Sequence, residues 1–107
     1  MRRTTVIVVT ARSGSFASIK WLAAKQNLPF DLVLCSHADR LNGTIRRHRR
    51  ADMLISDGTG IRHLSPKVID CRFDPREIAQ QFELPHRVVD KIEMVLDILS
   101  NRYPDRD

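Results

Sequence analysis

A chain of 107 residues, of which 42% are hydrophobic, has the size of one domain and enough apolar side chains for one modest core. No apolar run is long enough to cross a bilayer, and the two cysteines, Cys35 and Cys71, form neither a disulfide framework nor a Cys-x-x-Cys motif. These features exclude membrane-spanning and disulfide-stabilised folds and predict a single cytoplasmic domain over residues 1–107. The net charge of +5 favours acidic or phosphate-bearing partners.

The first predicted element is a strand over Thr4–Val9, a run of β-branched residues typical of a strand buried on both faces. A turn rich in hydroxyl groups follows, and Ser13 or Ser15 is expected to cap a helix that runs to about Asn27. Pro29 is expected to end that helix, because the residue before a proline is disfavoured in helical geometry.

The middle of the chain predicts a strand over residues 30–35, then a loop and a basic helix over 39–50. Asn42-Gly43 is expected to interrupt that helix, with Thr44 capping the helical part. A third strand is predicted over 51–56, and the turn Asp57-Gly58-Thr59-Gly60 follows it. A fourth strand is predicted over 67–71.

Two helices are predicted to close the chain. Asp74, Pro75 and Glu77 form a helix-start signature, with Asp74 as the cap, and this helix should end near Glu83. A last helix should start at Leu84-Pro85, because apolar residues recur from position 88 to 99 at intervals of three and four. The far side of that helix offers a surface for a homodimer.

Alternation of strands and helices predicts an α/β fold, a three-layer Rossmann-like sandwich with helices on both faces of a four-stranded parallel sheet. We expect the strand order 2-1-3-4. Ligands in open α/β sheets bind at the carboxyl ends of the strands where the order reverses. Here those ends are residues 10–15 and 57–60, so the sequence predicts a phosphate-binding site there, formed by Thr10, Arg12, Ser13, Asp57, Gly58 and Thr59.

Several of these residues have a second interpretation. Thr10 could instead cap the turn, Arg12 could form a surface salt bridge, and Asp57 could make a turn bond. Asp57 could also hold Mg²⁺, although one carboxylate alone makes a weak magnesium site. Cys35 and His37 lie two residues apart on a strand and could meet as a nucleophile pair, but a buried, inert cysteine is the expected state.

A basic cluster lies between the second and third predicted strands. It is formed by Arg46, Arg47, Arg49 and Arg50, with His48 among them. Such a cluster could bind nucleic acid or an acidic protein, or it could be a solvated helix face. The single Trp and single Tyr do not interleave with these arginines, which argues against a stacking platform for single strands.

Two segments carry a family resemblance. Val8–Ser13 is an apolar strand that ends in a threonine, and Ala51–Asp57 is an apolar strand that ends in an aspartate. They resemble the second and fourth motifs of the haloacid dehalogenase superfamily of phosphohydrolases, which grip phosphate and hold magnesium. Residues 21–35 are similar to the helix and strand between these motifs in nucleotidase-like members. The resemblance covers residues 5–65 and implies a Rossmann-like fold with a phosphate-bearing ligand.

The departures from the family pattern concern catalysis. The nucleophile of the family is the first Asp of an Asp-x-Asp after an earlier strand, and the one such motif here, residues 105–107, lies in the polar tail. Ser56 stands where the first magnesium-binding acid is expected, and an arginine of 46–50 would have to replace the lysine of the third motif. Without the earlier strand, the first and third strands would pair directly.

We therefore expect a non-catalytic domain of this type that binds a phosphate-bearing ligand or nucleotide. One alternative is a regulatory module that uses the basic cluster to bind nucleic acid or an acidic protein. A further alternative is a small Mg²⁺-dependent phosphohydrolase that uses Asp57, with any missing nucleophile supplied by a separate chain.

Overall fold

The computed structural model describes residues 3–57 and 74–102. Its strands form one parallel sheet in the order β2-β1-β3-β4. They are β1 (Thr4–Val9), β2 (Phe30–Cys35), β3 (Met53–Asp57) and β4 (His86–Val89). The predicted α/β class, the parallel sheet and the strand order 2-1-3-4 are therefore confirmed.

The described residues form four α-helices that pack on the two faces of the sheet: α1 (Ser13–Lys25), α2 (Leu41–Arg47), α3 (Pro75–Gln81) and α4 (Val95–Arg102). Short 3₁₀ turns, Ala38–Arg40 and Ile92–Met94, lead into α2 and α4. None of the helices in the described ranges has the length and apolar character that a membrane crossing requires.

The sheet separates two apolar cores because side chains of β1 alternate between its faces. Val6 and Val8 belong to the core that contains residues of α1 and α4, whereas Ile7 and Val9 belong to the core that contains residues of α2 and α3. All four valine and isoleucine side chains are buried. This arrangement gives the three predicted layers and explains why the apolar run of β1 does not alternate with polar residues.

Direct pairing of β1 with β3 fixes the centre of the sheet. Val6 to Val9 lie opposite Met53 to Ser56 in parallel register. At the start of this ladder the Thr5 N–H donates to Asp52 Oδ2 at 2.9 Å, and the Asp52 N–H donates to the Thr5 carbonyl at 2.7 Å. These two bonds hold the amino ends of both strands level, so their carboxyl ends emerge at the same edge.

The last predicted helix was wrong in its first half. Residues 86–89 form β4, and only the residues from Val95 onward form an α-helix. Val89, Ile92, Val95 and Leu99 still share one core, so the apolar spacing was real although it spans three elements. The outer edge of β3 offers backbone groups that need partners, and the β-branched pair Val88-Val89 supplies them.

The fourth place in the sheet is thus taken by a segment other than the predicted one. The strand predicted over 67–71 lies outside the described residues, as do Gly58, Thr59 and Gly60 of the predicted turn. Cys71 and the Asp-x-Asp of residues 105–107 also lie outside them.

The predicted interruption of the basic helix was also wrong. α2 continues through Asn42 and Gly43, and Thr44 does not cap it. Instead the Thr44 hydroxyl is buried and donates to the carbonyl of Arg40, one turn earlier, at 2.8 Å. Leu41 and Ile45 anchor the helix to the sheet, so burial outweighs the low helix propensity of Gly43.

Helices α1 and α3 end in the same left-handed motif. Asn27 and Glu83 have φ angles of 54°. In each case the following leucine N–H bonds back to an alanine carbonyl five residues earlier, Leu28 to Ala23 at 2.9 Å and Leu84 to Ala79 at 2.8 Å. α1 therefore ends at Lys25 and α3 at Gln81, about two residues before the predicted ends.

The predicted start of α3 is confirmed. Asp74 precedes the helix in an extended conformation, its carboxylate accepts the Arg76 N–H at 2.9 Å, and Pro75 takes the first helical position.

Candidate functional site

The first candidate site lies where β1 and β3 end, and we call it the carboxyl-edge corner, formed by Thr10, Arg12, Ser13 and Asp57. Thr10 follows β1 and Asp57 ends β3. The Thr10 hydroxyl donates to Asp57 Oδ2 at 2.7 Å. The two segments that the sequence placed at one edge of the sheet do meet there.

Thr10 is the structural centre of this corner. Its side chain is 0% exposed, and its hydroxyl oxygen accepts the Arg12 N–H at 3.0 Å while the hydroxyl proton goes to Asp57. The hydroxyl thus ties the turn after β1 to the end of β3. A ligand oxygen that took this proton would have to displace the bond to Asp57.

Helix α1 begins at the corner without a side-chain cap. Neither Ser13 nor Ser15 caps it, so that expectation was wrong, and Arg12 occupies the cap position. The reason lies in Thr10, whose hydroxyl takes the Arg12 N–H and fixes the chain one residue before Ser13. No acidic residue lies in the first turn, so a 13-residue helix presents its positive end beside the exposed Arg12.

Glu93 brings a carboxylate to the same helix end, and sequence reasoning missed it. It lies on the 3₁₀ turn before α4, next to α1, and its carboxylate interacts with Ser15 and Arg12. Its own backbone N–H, the Ser15 hydroxyl and the positive charges of Arg12 and Lys91 lower the pKa of Glu93. An internal anion therefore lies beside the place predicted for an external one.

The predicted weak magnesium site rests on Asp57 alone within the described residues. No group of three or more His, Cys, Asp or Glu side chains placed to hold a metal ion occurs in residues 3–57 and 74–99. One carboxylate oxygen of Asp57 already accepts the Thr10 proton. Mg²⁺ at this position would need substrate phosphates or further oxygen ligands.

The predicted basic cluster lies at the other end of the sheet. Arg46 and Arg47 end α2, and Arg49 and Arg50 follow in a turn closed by the Ala51 N–H, which donates to the His48 carbonyl at 2.9 Å. A cleft of about 360 Å³ lies along this turn and reaches Thr5, at the amino end of β1.

A second cleft borders the same turn. It has a volume of about 390 Å³ and extends from Arg46, His48 and Arg49 to residues 82–85, between α3 and β4. From Thr5 to Thr10 the chain rises ~16 Å at the usual strand spacing, so the basic cluster and the carboxyl-edge corner are separate places.

The structure does not place Cys35 and His37 as a nucleophile pair. Cys35 is buried, and its thiol donates to the backbone carbonyl of His37 at 3.3 Å, not to the imidazole. The His37 ring is hydrogen-bonded to the Ser36 hydroxyl at 3.1 Å. Burial raises the pKa of Cys35, which keeps the thiol protonated. The expected burial of Cys35 is confirmed, and its raised pKa agrees with the inert state that the sequence predicts.

A hydrogen-bonded pair of a buried serine and a half-buried histidine was not foreseen. Ser56 Oγ and His86 Nε2 lie 2.8 Å apart, and Ser56 is 4% exposed. Burial lowers the pKa of His86, and the charge of Arg76 lowers it further, against an opposing effect of Asp74. The pair joins β4 to β3 beside the carboxyl-edge corner. Sequence patterns could not reveal it because His86 falls in the segment predicted as helix.

Comparison with known sequences adds no family assignment: neither a protein-family model nor a curated protein matches this chain.

Proposed function

We propose that this chain is a non-catalytic α/β domain that binds a phosphate-bearing ligand, such as a nucleotide, at the carboxyl-edge corner. The observation that carries the proposal is the Thr10–Asp57 hydrogen bond of 2.7 Å. It fixes the turn so that the uncapped start of α1 and the Arg12 guanidinium lie at the edge of the sheet where α/β folds bind ligands.

The chemistry of the corner supports an anion. Free N–H groups at the start of α1 donate to phosphate oxygens, and the helix dipole favours negative charge there. Arg12 can add a charge-assisted bond, and Ser13 can add a hydroxyl. In the proposed complex the ligand lies on the Arg12 side of the corner, away from the Asp57 carboxylate. Gly58 and Thr59 were predicted to contribute, and they lie outside the described residues.

Direct pairing of β1 with β3 supports a binding role without catalysis. In the haloacid dehalogenase superfamily, which the sequence resembles, the nucleophile strand lies between the two strands that correspond to β1 and β3. Here Val6 to Val9 pair directly with Met53 to Ser56, so no gap for a further strand lies between β1 and β3. A strand from another chain could enter only by breaking this ladder, and covalent phosphoryl transfer of the family kind therefore lacks its nucleophile.

Binding can be tested by titrating the protein with AMP or with inorganic phosphate and following the backbone amide NMR shifts. We expect both probes to shift the amides of residues 12–15 saturably. Arg12→Gln should weaken binding about tenfold or more, because it removes a charge-assisted bond. Lys20→Gln is the matched control, since Lys20 is an exposed cation on the same helix. Equal effects of the two substitutions would contradict the proposal.

Glu93 provides a second test of the same site. Because its carboxylate shares the Arg12 side of the corner, Glu93→Gln should strengthen phosphate binding several-fold while keeping a hydrogen bond to Ser15 possible. Unchanged or weaker binding in this variant would place the anion elsewhere.

Catalysis can be tested directly with p-nitrophenyl phosphate and Mg²⁺. We expect no turnover above that of buffer. Turnover that disappears in Asp57→Asn would contradict the non-catalytic proposal and favour the alternative of a Mg²⁺-dependent phosphohydrolase.

A second candidate function uses the basic cluster. The observation that favours it is the concentration of four arginines and His48 in one helix end and turn, at an edge of the sheet remote from the corner. A nucleic acid or an acidic protein would fit this charge. Replacing Arg46, Arg47, Arg49 and Arg50 by Ala should then weaken binding to a DNA duplex and flatten its salt dependence. Binding without salt dependence would contradict this candidate.

A cytoplasmic location and a homodimer stay predictions. Size-exclusion chromatography with light scattering measures the second. The exposed Val88, on β4, and the exposed Met94, just before α4, are the positions at which a polar substitution should dissociate such a dimer.

A further inference from the structure

The cleft between the end of α2 and the α3–β4 connection combines three kinds of surface. Arg46 and Arg49 line it from the end of α2 and the turn that follows, and Phe82, Leu84 and Pro85 line it from the α3–β4 connection. Glu83 adds a single carboxylate. A volume of about 390 Å³ lies at the lower end of the range for small-molecule sites, 300–1,000 Å³.

The charged residues that line this cleft, all within the described ranges, do not form ion pairs with one another. Within the part of the chain that the structure describes, no ion pair joins Glu83 to Arg46 or Arg49. Arg46, Arg49 and Glu83 are exposed, whereas Phe82 and Leu84 are half-buried and pack on the core beside α3. Cationic, anionic and apolar groups therefore line one concave surface and remain available to a bound molecule.

Glu83 occupies the left-handed position just after α3, which glycine occupies most often in helices that end in this way. Its φ of 54° is left-handed, and the same position at the end of α1 holds Asn27, a residue that tolerates this conformation better. A glutamate there costs stability that glycine would not. Strained backbone conformations cluster at functional sites, so the position of Glu83 in the lining of this cleft indicates a role for its side chain.

We propose that this cleft binds a small zwitterion with an apolar body, of the class of an apolar α-amino acid or its dipeptide. The ligand carboxylate lies between Arg46 and Arg49, where planar guanidinium groups can bind it with paired hydrogen bonds. The ligand ammonium lies at Glu83, and the apolar side chain packs on Phe82, Leu84 and Pro85. This site is independent of the carboxyl-edge corner, because it lies at the opposite edge of the sheet.

Titration with L-leucine and L-phenylalanine, followed by amide NMR shifts, tests the proposal on the whole chain. We expect saturable shifts at residues 46–51 and 82–84 and none at residues 10–15. N-acetyl-leucine lacks the ammonium group and leucine amide lacks the carboxylate, so each should bind about tenfold more weakly than leucine. Equal binding of all three leucine compounds, or the absence of saturable shifts, would overturn the proposal.

Glu83→Gln separates this site from the basic-cluster candidate. It keeps the size and the backbone of Glu83 but removes the charge. We expect it to weaken leucine binding about tenfold, whereas binding of a nucleic acid or acidic protein at the same arginines would become tighter because a repelling charge is lost. Tighter or unchanged leucine binding in Glu83→Gln would overturn the proposal.

Matched arginine variants complete the test. Arg49 lines the cleft and Arg47 does not, although both are exposed members of the same basic cluster. Arg49→Gln should weaken leucine binding about tenfold and Arg47→Gln should leave it unchanged. Equal loss in both variants would show a diffuse effect of charge and overturn the proposed geometry. Phosphate binding at residues 12–15 should persist in all these variants, so failure here and failure of the corner are distinguishable.

Discussion

The hydrogen bond from Thr10 to Asp57 should contribute measurably to stability, and Thr10→Val tests this contribution. Valine has nearly the shape of threonine but no hydroxyl. The substitution therefore removes the 2.7 Å bond to the Asp57 carboxylate and the acceptor for the Arg12 N–H while keeping the buried volume filled. The Asp57 carboxylate, which is half-buried, loses a donor.

The size of the effect follows from the kind of bond. A hydrogen bond to a charged group contributes about 1.5–3 kcal/mol. The Arg12 N–H lies in an exposed turn, where water can replace the lost acceptor, so it adds little. We expect Thr10→Val to lower the free energy of unfolding by about 2 kcal/mol, which corresponds to a fall in Tm of roughly 8 °C for a domain of this size.

Urea unfolding of the four members of a double-mutant cycle measures the pair itself. The cycle combines Thr10→Val with Asp57→Ala, so the other contacts of each residue cancel. We expect a coupling energy of about 1.5 kcal/mol or more with an unchanged m-value. A coupling below about 0.5 kcal/mol would refute the reasoning, because it would mean that the two strand ends are held together by packing alone.

Three further substitutions test separate parts of the fold. Gly43→Ala should raise the free energy of unfolding by about 0.5–1 kcal/mol, because Gly43 lies inside α2 and an added Cβ meets no atom within 4 Å; a loss of stability in urea unfolding would contradict this. Glu83→Gly should also stabilise, by about 1 kcal/mol, since glycine adopts the φ of 54° without strain. The same substitution should weaken leucine binding about tenfold or more, and an unstabilised variant would show that Glu83 is not strained. The wild-type protein should lose stability as the pH falls below the ordinary His86 pKa of 6.5, because burial lowers the pKa of His86 in the folded state and the unfolded state then binds more protons. His86→Gln should flatten that dependence in urea unfolding at a series of pH values, whereas Arg87→Gln, on the same strand, should keep it; equal curves for the two variants would contradict the assignment.

Local sequence chemistry determined the central part of this fold. The β-branched run of Thr4–Val9 can satisfy its apolar side chains only as a strand covered on both sides, and the structure buries it in that way. Asp74 and Pro75 start α3 as expected, because a side-chain cap and a fixed φ act within a few residues. Alternation of strands and helices was enough for the order of the first three strands and for the meeting of Thr10 with Asp57.

Tertiary structure decided what local patterns left open. Apolar spacing from position 88 to 99 fits one helix equally well, and only the unpaired edge of β3 selects a strand over residues 86–89. Asn42-Gly43 predicts a break in the basic helix by propensity, and burial of Leu41 and Ile45 overrides it. Glu93 lies beside Ser15 at the start of α1 although the two are far apart in the sequence, and Glu83 shares a cleft with Arg46 and Arg49, because folding brings distant segments together. Short-range sequence preferences carry no information on such contacts, which depend on where each element packs.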